Sequence, residues 1–323
     1  MVPSLPPLRL ALLGAGTVGS AVAHRLHERR ERYADALGRP LELAGVAVRD
    51  TGRDRPGIDP ALLTSDAAAL AARADVVVEV MGGLEPAGEL IGSALRRGAQ
   101  VVTANKQLIA RRGPELEALA AQAGGGLHYE AAVMAAVPVL AVVREALAGD
   151  EVLGIRGVVN GSTNYVLDLV AREGVPFADA VRQAGELGYL EADPTEDLEG
   201  LDAAAKIVIL ARAAWGLPVA LEDVAVTGIS GLTDADFAGA AGRDEVLKLV
   251  ATATRDDQRG VRVEVAPRSL PLQDPLAQVR GGTNILEVDA VSAGPLRLVG
   301  AGAGGEETAS AVLGDVLRAA RRC

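Results

Sequence analysis

The sequence predicts an α/β protein in which a doubly wound parallel sheet is followed by an α+β domain. Three observations point there. The apolar run Leu8–Leu13 passes directly into Gly14-Ala15-Gly16-Thr17-Val18-Gly19, after which Val18, Ala21, Val22 and Leu26 repeat at helical spacing. Near-continuous apolar strands alternate with helical segments as far as about residue 130, the pattern of a sheet buried on both faces. Beyond about residue 150 the rhythm changes to paired helices followed by alternating runs at 248–254, 261–265 and 285–291, which reads as a mixed sheet.

A chain of 323 residues is long for one core, and two domains are expected. Hydrophobic residues make up 49% and charged residues 23%, a globular balance, while the 2% aromatic content leaves the core to Ala, Val and Leu. The net charge of −11 disfavours nucleic acid or an anionic membrane surface as a partner. No apolar run is long enough to span a bilayer and no secretory leader pattern opens the chain. The only cysteine is Cys323, and the only histidines are His24, His27 and His128. A disulfide framework, a zinc site and an internal thiol nucleophile are therefore not expected, and a cytoplasmic, reducing location is.

In the first domain Gly14 permits a tight turn, Gly16 lets the backbone approach a pyrophosphate, and Gly19 lets helix and strand pack closely. With Thr17 and Val18 they form a Rossmann-type dinucleotide fingerprint at a helix N-terminus, whose amides suit an anion. The strand Leu41–Val48 ends in Arg49-Asp50, with Arg53 and Arg55 close behind. An acid there suits a ribose hydroxyl and an arginine suits a 2′-phosphate, so the cation excess favours NADP over NAD. Asp75–Val80 leads to Gly82, and the strand at 99–102 leads to Thr103-Ala104-Asn105-Lys106. Ligands of such sheets lie beyond the carboxyl ends of the strands, which places Gly82, Thr103, Asn105 and Lys106 beside the nicotinamide. The bland alternative for Lys106 is a helix-start lysine, but a helix N-terminus is the unfavourable end for a cation, and that mismatch favours a functional role. A helix over 115–123 stops at Gly124-Gly125-Gly126. Glu130 then stands alone at the edge of an apolar stretch and needs a cation or several donors as partners.

The second domain opens with a strand over 152–159 that ends in Asn160-Gly161-Ser162-Thr163-Asn164, either a hydrogen-bonding wall or an ordinary helix start. Its most charged stretch, Gly188 to Lys206, packs six carboxylates in a short run. Asp202 and Lys206 stand one helical turn apart and share a face. Read alone, the stretch favours a site, with a solvated acidic turn as the alternative. Near the end, the strand around 296–299 runs into Gly300–Gly305 and a helix over 308–321, so the chain is expected to return to the cofactor domain. The expected division is 1–137, completed by 302–323, and 138–301.

Together these motifs resemble those of homoserine dehydrogenases. The resemblance is carried by Gly14–Gly19, Thr103–Lys106, Glu130–Pro138, Asn160–Tyr165, Gly188–Lys206 and Gly302–Asp315. Gly-Tyr-x-Glu-x-Asp-Pro followed by Gly-x-Asp-x-x-x-Lys is its most specific part. It implies NAD(P)-dependent, reversible reduction of L-aspartate 4-semialdehyde to L-homoserine, on the route to threonine, methionine and isoleucine. By position, Lys206 resembles the proton-transfer lysine and Lys106 a second lysine near the reacting carbon. Glu191, Asp202 and Asp197, with Gly161 and Thr163, resemble substrate contacts, while Gly188 and Gly304 resemble cofactor contacts. Glu130 with the carbonyls of Val133, Ala135 and Val137 resembles a monovalent-cation site, usually sodium. A homodimer built through the second domain is implied, and a C-terminal regulatory domain of the kind many relatives carry is not expected. The cation loop usually carries glycines near Ala135 and Ala136, and alanines restrict that backbone. Two rivals fail on chemistry: aspartate-semialdehyde dehydrogenase needs a cysteine nucleophile, and a zinc alcohol dehydrogenase lacks its ligands.

Overall fold

The computed structural model describes residues 5–256 and 260–323. The chain divides into two compact units, one made of the chain up to Ala136 together with Gly304–Cys323, the other of Val137–Ala303.

The first unit runs β1 (Leu8–Leu13), α1 (Thr17–Glu28), α2 (Arg30–Leu37), β2 (Leu41–Ala47), β3 (Leu63–Thr64), α3 (Ala67–Ala71), β4 (Val76–Glu79), α4 (Ala87–Arg96), β5 (Gln100–Thr103), α5 (Lys106–Ala123) and β6 (Gly126–His128). Its six strands are parallel in the order β3-β2-β1-β4-β5-β6. That is the Rossmann order, with its reversal between β1 and β4. The expected helix at 115–123 is longer: α5 begins at Lys106 and passes through Pro114. Asn105 caps it by accepting from Leu108 N at 3.1 Å, and Leu108, Ile109, Leu116 and Ala120 form one buried stripe. Packing along that stripe outweighs the helix bond that a proline forgoes.

The second unit opens with a helical segment, α6 (Val139–Ala141), continued as a π-helical turn. There follow β7 (Val152–Val158), α7 (Gly161–Glu173), α8 (Phe177–Glu186), α9 (Thr195–Leu198), α10 (Leu201–Trp215), β8 (Ala225–Val226), α11 (Asp234–Ala241), β9 (Glu245–Asp256), β10 (Gly260–Pro271), β11 (Thr283–Ala290) and β12 (Gly294–Ala301). The strand order is β12-β11-β7-β9-β10-β8, antiparallel apart from the β10–β8 pair. The alternating runs at 248–254 and 261–265 thus lie within longer strands, and the run at 285–291 covers most of β11 and passes its end by one residue. α10 is buried along most of its length, from Asp202 to Ala211. The chain then re-enters the first unit as α12 (Gly305–Ala320), whose Ala309, Val312, Leu313, Val316 and Ala319 join the core formed by Leu10, Leu12, Val22, Val76 and Val78.

Candidate active site

The glycine turn after β1 has the shape its sequence demands. Gly14 has φ +104°, and a Cβ there would lie 2.9 Å from Val80 O. A Cβ on Gly19 would overlap the carbonyl of Gly14, so helix and turn touch backbone to backbone. A Cβ on Gly16, by contrast, would meet nothing within 4 Å. Gly16 is also the N-cap of α1, with no side-chain cap and no acid in the first turn, and both Gly16 and Thr17 are exposed. An open backbone cradle on an uncapped helix N-terminus fits a pyrophosphate. Arg49 lies exposed just beyond β2, while neighbouring Asp50 uses Oδ1 to accept from Gly52 N at 2.9 Å.

The ends of β4 and β5 are tied together by a carboxylate that the sequence does not single out. Glu79 is fully buried. Its Oε1 accepts from Met81 N at 2.8 Å and Gly82 N at 3.0 Å, and its Oε2 accepts from Thr103 Oγ1 at 2.6 Å. Thr103 Oγ1 in turn accepts from Asn105 N at 3.0 Å, and Asn105 Nδ2 donates to Gly83 O at 2.6 Å. The side chains of Thr103 and Asn105 are therefore occupied in shaping the turn. Lys106 is half-buried at the first position of α5, directly after this frame.

In the second unit, Lys206 is 8% exposed. Its Nζ lies 2.8 Å from Asp202 Oδ2 and donates to Val159 O at 2.8 Å. An ammonium has three donors, so one N–H remains without an acceptor among the described residues. Asn160, the first residue of the Asn160–Asn164 pattern, is the hub. Its Nδ2 donates to Asp197 Oδ1 at 2.6 Å and Asp202 Oδ2 at 2.7 Å. Its Oδ1 accepts from Thr163 N at 2.8 Å, capping α7, and from Thr163 Oγ1 at 3.0 Å. The structure thus gathers Lys206, Asp202, Asp197 and Thr163 around one amide. It does not bring in Glu191, which is exposed on the loop before α9. Gly161 packs against Gly282, whose carbonyl lies 2.7 Å from where a Cβ would sit. Gly188 is exposed at φ +79°, and Gly304 caps α12 at φ +139°. Other acids of the run do local work. Asp193 accepts from Thr195 Oγ1 and N, which hold its carboxyl below the usual range, and Glu199 accepts from Ser230 Oγ.

Glu130 is 4% exposed and has a protein partner: Arg318 lies 3.7 Å from its Oε2. Glu130 N donates to Asp315 Oδ2 at 2.8 Å, and Arg318 lies 3.5 Å from Asp315 Oδ1. Close by in sequence, Met134 and Ala135 are buried at φ +55° and +48°, left-handed conformations that side chains disfavour. A carboxylate and main-chain carbonyls are hard oxygen donors, the kind that suits an alkali cation.

The parallel sheet, its strand order and its glycine turn define a dinucleotide-binding protein of the Rossmann class. Family models agree: one described as homoserine dehydrogenase, NAD binding domain, matches residues 14–130, and one described as homoserine dehydrogenase matches 138–317. A homoserine dehydrogenase of Corynebacterium glutamicum is 45% identical over 318 residues, covering 97% of this chain and 72% of that protein. The crystal structure of a homoserine dehydrogenase from Thiobacillus denitrificans superposes with a TM-score of 0.94 at 37% identity, over 98% of this chain and 74% of that one. A hyperthermophilic archaeal homoserine dehydrogenase in complex with NADPH superposes with a TM-score of 0.83 at 30% identity, over 97% and 98% of the two chains. The chain belongs to the homoserine dehydrogenase family of NAD(P)-dependent oxidoreductases. No helix among the described residues is long and apolar enough to cross a membrane.

Proposed function

We propose that this chain reduces L-aspartate 4-semialdehyde reversibly to L-homoserine with NADPH, and that Lys206 gives the proton in that direction and takes it back in the other. The observation that carries this reading is the buried Lys206, held by Asp202 and Val159 O with one N–H left over. Such a donor, fixed by two acceptors, suits a carbonyl oxygen that becomes an alkoxide. The nicotinamide supplies the hydride when bound. Lys106, at the head of α5, is assigned the part of a second lysine, near the nicotinamide. Exposed Glu191, with Asp202 and Asp197 on the Asn160 amide, is assigned to hold the substrate ammonium. The exposed Arg49 and the engaged carboxylate of Asp50 support a 2′-phosphate, and hence NADP. The open Gly16 cradle takes the pyrophosphate, with Gly188 and Gly304 lending backbone to the cofactor.

Glu130 and the carbonyls of Val133, Ala135 and Val137 are assigned to a sodium ion, supported by the oxygen donor set and the left-handed loop. Two copies are expected to associate through the second unit, where terminal strand β12 exposes every second residue, including Val299 at 56%. A cytoplasmic setting and a place in threonine, methionine and isoleucine synthesis complete the proposal. The test is nicotinamide absorbance with L-homoserine, run in parallel with NADP and NAD, on wild type and Lys206→Ala. Turnover should be greater with NADP and fall by roughly 10²–10⁴-fold in the variant, with NADPH binding intact. Near-normal turnover by Lys206→Ala sinks the mechanism.

A further inference from the structure

Lys248 on β9 is the largest fully buried side chain among the described residues, at 1% exposure, and the proposed chemistry makes no use of it. Its Nζ donates to Asn164 Oδ1 at 2.7 Å and to Val279 O at 2.8 Å. Neither acceptor is a carboxylate. A buried ammonium satisfied only by neutral oxygens is a costly arrangement, and burial pushes its pKa down to about 8 against the pull of Asp168. What it holds is specific. An ammonium can only donate, so it turns Oδ1 of Asn164 towards itself and Nδ2 away. That Nδ2 donates to Gly281 O at 2.8 Å and Thr283 O at 3.1 Å. One turn further along α7, Asp168 accepts from Gly281 N at 2.9 Å and from Arg280 at 3.0 Å. The segment 279–283 is therefore clamped to the first half of α7, and Lys248 sets the sense of the clamp.

The far side of this segment bears on the substrate contacts. Gly282 O presses on Gly161, and a Cβ on Gly282 would lie 2.9 Å from the ring of Tyr189. Tyr189 stacks on Tyr165 with centroids 4.1 Å apart, and its carbonyl accepts from Ser162 Oγ at 2.6 Å. Segment 279–283 is thus wedged between the turn carrying Gly161 and Thr163 and the strand of chain that leads to Glu191. Lys206 takes its own acceptors from elsewhere, Asp202 and Val159 O.

We propose that Lys248 is a positioning residue for substrate binding, acting through Asn164 and segment 279–283 on the Gly161–Thr163 turn and the Tyr189–Glu191 loop. The inference rests on the reading of those residues as substrate contacts. The test is steady-state kinetics with L-homoserine and NADP on wild type, Lys248→Met and Asn164→Asp. Lys248→Met keeps the apolar stem and removes the donor. Asn164→Asp keeps an acceptor for the lysine and removes both donors to the segment. KM for homoserine should rise about tenfold in each, the scale of one misplaced hydrogen bond. kcat and KM for NADP should stay within about threefold of wild type on the same scale. A folded variant of either kind with unchanged homoserine KM, or with kcat lost and KM kept, overturns the assignment. NADPH fluorescence titration confirms that each variant is folded. A wild-type chain that does not turn over homoserine overturns this proposal and the proposed function together. An active wild type with unshifted variants overturns this one alone.

Discussion

Removing the carboxylate of Asp202 tests the heart of the site without touching the lysine that acts there. Asp202 Oδ2 accepts from Lys206 Nζ at 2.8 Å and from Asn160 Nδ2 at 2.7 Å, and the two charged side chains are 6% and 10% exposed. In Asp202→Ala the ammonium keeps only Val159 O, and the Asn160 amide loses one of its two acidic acceptors. Breaking a buried pair from one side costs about 3–5 kcal/mol, because a charge is left behind without compensation. Asp202 also sits in the first turn of α10, where a negative charge contributes a further ~0.3–1 kcal/mol. For a unit of this size that corresponds to a fall in Tm of about 10 °C. Urea unfolding at pH 7, followed by far-ultraviolet circular dichroism, measures the loss. The double variant Asp202→Leu/Lys206→Met removes both charges and should be clearly more stable than the sum of the single losses implies. If Asp202→Ala unfolds within 1 kcal/mol of wild type (about the precision of such a measurement), the pair is not the buried, mutually dependent unit described above.

Three more outcomes follow from separate parts of the molecule. Gly16→Ala should leave Tm unchanged, since a Cβ there meets nothing, yet weaken NADPH binding; Gly19→Ala, whose Cβ overlaps Gly14 O, should lower Tm sharply, and calorimetry with and without NADPH separates the two. Ala135→Gly relieves a left-handed alanine at φ +48° and should stabilise the first unit by up to ~1 kcal/mol, read as a rise in the urea midpoint. Lys248 gives a pH dependence of known sign. Its folded pKa of about 8 lies below the ordinary 10.5, so between those values the unfolded chain binds more protons. Stability relative to Lys248→Met should therefore rise as pH climbs from about 8 towards 10.5, by up to ~3 kcal/mol, and be flat below 8.

The first unit is legible in the sequence because local chemistry dictates it. A glycine at φ +104° and a second, five residues on, whose Cβ would strike the carbonyl of the first are requirements of two nearby positions, set within one turn of chain. The pairing of Asp202 with Lys206 is legible for the same reason, being set by helical spacing. Glu79 is different. It ends an apolar strand as any solvated strand-end acid does, and only the return of β5 alongside brings Thr103 to it. Asn160 shows its capping half in the sequence, while its grip on Asp197 and Asp202 depends on two helices more than thirty residues away. Lys248 occupies a strand position that the pattern gives to solvent, and its burial comes from segment 279–283 folding across it. Pro114 illustrates the converse error, a helix breaker overruled by a continuous buried stripe.

The core that α12 completes has a consequence for how the chain is made. Leu10, Leu12 and Val22 leave the ribosome long before Val312, Leu313 and Val316, which pack into the same core. The whole of 137–303 emerges in between. The nascent parallel sheet must therefore wait, with one apolar flank uncovered, while a complete second unit is synthesised and free to fold. At roughly 5–20 residues per second that interval lasts on the order of ten seconds or more, long enough for chaperones to bind the uncovered flank.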